Sequence, residues 1–152
     1  MKPLIVLLAT FVISLLATKL VADRYDYTLA GVIAMAVMLV FTSIGHFVFT
    51  KGMLMMIPRF IPFRKELVYI TGIIEIAAAV GLLIPRFREM TAWLLIVFFI
   101  LLLPANIYAA TRQVDYQKGT LEGPGTTYLW FRVPLQILFI LWVYFAAIEG
   151  FK

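Results

Sequence analysis

Apolar residues dominate this chain in five long runs, at about residues 4–22, 29–50, 67–84, 90–111 and 128–148. Each run is close to the roughly 20 residues needed to cross the hydrocarbon core of a bilayer as a helix. The period-two alternation of a β-barrel is absent. In lipid a chain must also satisfy its own backbone hydrogen bonds, so the runs predict an all-α, membrane-spanning helical bundle in a single domain, 1–152. The segments between runs differ in character. Residues 23–27 form a short polar turn. Pro85-Arg86-Phe87-Arg88 predicts a tight hairpin, because Pro85 has no N–H with which to continue a helix. Residues 112–127 are polar, contain Gly119, Gly123, Pro124 and Gly125, and predict a movable loop. Residues 51–66 are too apolar for a free loop, and Pro58 and Pro62 break them as a span. They predict an interfacial segment with Met and Phe in lipid and Arg59, Arg64 and Lys65 at headgroups, either as a connector or as a lid.

Composition agrees with this pattern. Of 152 residues, 64% are hydrophobic and 14% charged, with a mean hydropathy of +1.02. Soluble domains carry roughly 25% charged residues. The basic residues divide eight to five between the two sides that alternate threading creates. The richer side holds Lys2, Lys51, Arg59, Arg64, Lys65, Arg112, Lys118 and Arg132, which predicts the N-terminus inside and the C-terminus outside. The expected location is a bacterial cytoplasmic membrane. Residues 1–22 also suit a signal peptide, but Thr18-Lys19-Leu20 interrupts any small-x-small cleavage site, which favours a retained first helix.

Against this apolar background, His46, Glu75, Asn106, Arg132 and Gln136 stand alone on four different runs. Alternate threading brings all five into one leaflet, at depths of roughly 6 to 12 Å at 1.5 Å rise per residue. Thr42 and His46 share a helix face at i, i+4, as do Arg132 and Gln136. Glu75 lies between Gly72 and Ala79, on a face of small residues that lets another helix approach. A charge at mid-membrane costs about 2.5 to 3.5 kcal/mol on insertion scales, so Glu75 is expected either to pair with Arg132 or to be protonated. Two readings stay open. In one, the polar residues pin helix packing. In the other, Thr42, His46, Tyr69, Glu75, Asn106, Arg132 and Gln136 bind the polar end of a lipophilic molecule, with His46 and Glu75 exchanging protons and Met35, Met38, Phe49 and Phe139 forming apolar walls.

Other chemistries find little support. The chain has no Cys and one His, which removes disulfides, thiolate metal sites and Fe–S clusters and leaves too few ligands for a zinc centre. Haem would need a Met as its second axial ligand. No P-loop, dinucleotide fingerprint or nucleophile elbow is present, no basic stretch is interleaved with aromatics for nucleic acid, and no inverted repeat suggests a transporter. Trp93, Trp130 and Trp142 suit interfacial belts or packing.

Four stretches together carry a resemblance. They are residues 42–47 (Thr-Ser-Ile-Gly-His-Phe), residues 69–75 followed by Gly81-Leu82-Leu83-Ile84-Pro85, residues 103–108, and residues 130–136. In combination, over about residues 30–146, they resemble the DoxX-like family of small integral membrane proteins. The resemblance implies a four-helix core, to which the first helix here is an addition. It also implies a link, in some members, to quinone-dependent oxidation of sulfur compounds, and in others to the assembly of membrane complexes. The absence of Cys argues against direct sulfur chemistry by this chain. The leading expectation is therefore an accessory subunit that binds a quinone-like or other lipophilic molecule, has no intrinsic cofactor, and works in the bilayer with a membrane or redox partner or a second copy of itself. A non-catalytic scaffold is the alternative, and an isomerase of sterol-like lipids a third reading.

Overall fold

A computed structural model describes residues 2–151 of the chain. Its helices are α1 (Lys2–Ala22), α2 (Tyr27–Val48), α3 (Thr50–Met55), α4 (Arg64–Leu83), α5 (Pro85–Thr111) and α6 (Leu129–Val143). A single 3₁₀ turn, Gly125–Tyr128, leads into α6, and π-helical turns, Tyr144–Glu149, extend it. Five helical stretches are long and apolar enough to cross a membrane: α1, α2, α4, α5 and the stretch from Gly125 to Glu149. The protein is a membrane-spanning helical bundle.

The helix ends follow local chemistry. Asp26 caps α2 by accepting a hydrogen bond from the Leu29 N–H at 2.8 Å. The hairpin expected around Pro85 is tighter than the sequence reading: only Ile84 separates α4 from α5, and Pro85 occupies the first turn of α5. There its missing N–H costs nothing and its fixed φ suits the helix. Arg88 turns back and donates from Nε to the Leu82 carbonyl at 3.0 Å, satisfying an end of α4.

α2 and α4 form the closest-packed pair, with α5 and α6 completing a four-helix ring and α1 lying along the outside of α2. Lipid gives helices no hydrophobic reason to associate, so close approach depends on small residues. The fully buried Met35, Met38, Leu39, Leu82, Leu95 and Val143 pack around Ala30, Ala34, Ala79 and Ala92. The C-terminal end seals this region. Trp142 turns inward, donating from Nε1 to the Gly31 carbonyl at 3.1 Å, and Phe151 packs on Trp142 and Phe11. Large apolar side chains such as Ile13, Ile70, Val80, Leu94 and Leu101 remain exposed on the outside, as a lipid-facing surface requires.

The other end of the bundle is built differently. Residues 51–66 contribute α3 and then a run of turns at residues 56–63, folded against the bundle. Gly52 is buried where a Cβ would overlap the Tyr116 backbone, so this segment and the 112–127 loop interlock. The loop is ordered: Asp115 Oδ1 accepts from the Gln117 and Lys118 N–H groups, Asp115 pairs with Thr120, and the Gly123 N–H bonds the Gln113 carbonyl.

At Gly81 a Cβ would meet the Thr91 hydroxyl across the α4–α5 hairpin. Gly81→Val is expected to overpack that contact at a cost of about 1–3 kcal/mol, read as a lowered thermal midpoint in detergent. An unchanged midpoint would contradict the packing described.

Candidate functional site

The lone polar residues surround a cavity of about 760 Å3 in the half of the bundle away from the α4–α5 turn. Lys2 and Pro3 of α1, Val48 and Phe49 of α2, and Tyr128 and Arg132 near the start of α6 all line it. Alternate threading therefore gathers the predicted helix ends at one level.

On one wall, α2 and α4 meet at Gly72. A Cβ there would lie 2.9 Å from His46 Cβ, so only glycine permits this separation. The approach lays the His46 ring across α4. His46 Nδ1 lies 3.0 Å from the Val68 carbonyl and 3.0 Å from Thr71 Oγ1. A carbonyl accepts only, and the Thr71 hydroxyl donates its own hydrogen to the Leu67 or Val68 carbonyl, so Nδ1 carries the proton. Nε2 therefore faces Glu75 Oε1, at 3.5 Å. Glu75 is buried, and its other oxygen accepts from Thr42 Oγ1 at 2.9 Å. One turn separates Thr42 from His46 on α2, and one turn separates Thr71 from Glu75 on α4, so antiparallel packing pairs the two faces rung by rung.

On the opposite wall, Arg132 donates to Asn106 Oδ1 at 2.9 Å, Asn106 Nδ2 donates to Gln136 Oε1 at 3.4 Å, and Gln136 Nε2 donates to the Phe99 carbonyl. Pro104 also disturbs α5 near this level. It lies inside the helix and withholds the N–H that the Ile100 carbonyl would otherwise accept. Pro134 interrupts α6 in the same way. The guanidinium of Arg132 also sits 5.8 Å from the centre of the Tyr128 ring and 6.0 Å from that of Tyr116.

The expected Glu75–Arg132 pair does not form: among the described residues, the only ion-pairing partner of Glu75 is His46. The reason is the Gly72 contact, which commits Glu75 to α2, while Arg132 is taken up by Asn106 on α5. The five residues thus make two separate networks facing across one space. Thr42 belongs to the first. Tyr69 does not line the cavity; its ring stacks on Phe47 at 5.7 Å between centres. Met38, Phe49 and Phe139 are walls as expected, but Met35 is fully buried in the packed half. Sequence reading missed Thr71, whose i−4 relation to Glu75 was the available signal, and Tyr116, whose role arises from a loop. Residues 53–61 contribute Met53, Met56, Ile57, Pro58, Phe60 and Ile61 to the wall, so the interrupted segment covers the cavity. No group of three or more His, Asp or Glu that could hold a metal occurs among the described residues.

Because the chain has one His, its imidazole nitrogens can be read without assignment ambiguity. A nitrogen-15 spectrum is expected to show the proton kept on Nδ1 in the neutral ring. Thr71→Val and Gly72→Val should disturb that signal, and a neutral ring protonated on Nε2 instead would contradict the geometry.

No curated protein matches the chain, and no solved structure does. The match to a family begins inside α2 and leaves α1 outside it. Over residues 35–147, the greater part of its length, the chain belongs to the family described as Domain of unknown function (DUF8561).

Proposed function

We propose that the protein binds a lipophilic small molecule, quinone-like or another amphiphile, with its polar end between the two networks and its apolar body against Met38, Phe99 and Phe139. The observation that carries this reading is the cavity itself. In the other half, fully buried side chains such as Met35, Leu39, Leu82 and Leu95 fill the space between the helices. Here about 760 Å3 lies open among convergent polar groups, within the range of roughly 300–1,000 Å3 typical of ligand sites.

His46 and Glu75 give the site a way to exchange a proton with the ligand. With Nδ1–H held by the Val68 carbonyl, one further proton shared between Nε2 and Glu75 leaves the pair neutral overall, as acid with imidazole or carboxylate with imidazolium. A neutral pair suits a low-dielectric interior. Moving that proton to a ligand oxygen and back needs no large rearrangement. The chain supplies no redox centre of its own in this reading, so electrons come from a membrane or redox partner, and the protein is an accessory subunit of an oxidoreductase. The combined resemblance of residues 42–47, 69–75 with 81–85, 103–108 and 130–136 to DoxX-like proteins supports that role, and the Lys and Arg bias supports an inside N-terminus in a bacterial cytoplasmic membrane.

One observation favours a scaffold instead: each polar side chain of the two networks has a partner within the protein. The two readings part on substitution. Binding of a short-chain quinone analogue to the purified protein should weaken about tenfold or more in Glu75→Gln, as expected when a charge-assisted bond is lost. Equal affinity would count against the site. A scaffold predicts that Glu75→Gln and His46→Ala lower thermal stability together and change no ligand.

A further inference from the structure

The two walls of the cavity are not electrically equivalent. Glu75 has an ion-pairing partner in His46, 3.5 Å away. Arg132 has none: among the described residues no carboxylate lies within ion-pairing distance of it, and its one side-chain hydrogen bond goes to the neutral Asn106. A guanidinium has five N–H donors and cannot shed its charge. The Tyr116 and Tyr128 rings offset part of that charge, but their faces accept no strong hydrogen bond. The remaining donors belong to a side chain that lines the cavity, and a second cation, Lys2, stands at the same end. A net positive, half-buried fork beside an apolar chamber is complementary to one kind of molecule.

We infer that the cavity takes a single-chain amphiphile with an oxyanion head, a long-chain carboxylate or phosphate monoester, docked on Arg132. This rests on the reading of the cavity as a lipophile site and decides the chemistry of the polar end, which that reading leaves open. Arg recognises planar or tetrahedral oxyanions through parallel N–H···O bonds, a geometry that one carbonyl oxygen of a neutral quinone cannot match. The volume suits one chain of drug-like size. The rest of the lining, with Met38, Met53, Phe99 and Phe139, offers a flexible and aromatic bed for an alkyl tail.

The test compares oleate, methyl oleate and a short-chain neutral quinone analogue binding to the purified full chain in non-ionic detergent at alkaline pH. Oleate is expected to bind at least tenfold more tightly than its methyl ester. Arg132→Gln should abolish the preference, and Arg86→Gln, at the far α4–α5 end of the bundle, should keep it. Equal binding of acid and ester by the wild type overturns the inference, as does a preference that survives Arg132→Gln or disappears with Arg86→Gln. Should Arg132→Gln fail to fold, the Arg132 side-chain nitrogen resonance of the wild type answers instead. It should move with oleate and stay in place with the ester, and a stationary signal overturns the inference. Quinone binding without acid preference would sink this inference alone. No binding of any of the three would sink the lipophile reading with it.

Discussion

Within a bilayer a polar side chain has no bulk water to turn to, so its hydrogen bonds must be found inside the protein. That constraint organises the half of this molecule that is not solid packing. It is met first at Gly72, where the absence of a side chain lets α2 lie against α4 closely enough for the His46 ring to reach the Val68 carbonyl. Once the ring is placed, its tautomer is set, and with it the face shown to Glu75. Thr42 completes the carboxyl's second oxygen. A local deletion of one methyl group thus fixes the chemistry of a four-residue assembly.

The same constraint acts through proline on the facing wall. Pro104 withdraws the donor of the Ile100 carbonyl in mid-helix, and Gln136 donates to the adjacent Phe99 carbonyl. Gln136 and Arg132 then both hold Asn106, so α5 and α6 are joined by side chains where their backbones are interrupted. The cavity occupies that level, with Pro104 in its lining. The contrast with the sealed half is physical. There the helices carry Ala and Gly at their contacts, and Trp142 and Phe151 plug the end.

The cover of the cavity follows from two segments that are weak structures separately. A six-residue helix and a polar loop each bury little alone. They interlock at Gly52, whose missing Cβ admits the Tyr116 backbone, and Phe49 meets the edge of the Tyr116 ring. Because Tyr116 also lies beside Arg132, cover and site share a residue. The DUF8561 match, residues 35–147, covers α3, the loop and the residues of both networks, while α1 lies outside it.

The five crossing helices are legible from the order of residues alone, because apolar length and the ban on unpaired backbone in lipid leave no other solution. That order also determined that His46, Glu75, Asn106, Arg132 and Gln136 share a leaflet, since depth depends only on rise per residue and alternating direction. Tertiary structure decided who pairs with whom. Depth places Glu75 and Arg132 in the same half of the bilayer but does not say which helices adjoin, and the Gly72 approach gives Glu75 to His46. Rotation about each helix axis put Tyr69 against Phe47 rather than in the cavity, and sent Met35 into the packed half. Side-chain direction depends on which neighbour each face meets, and linear periodicity does not contain that.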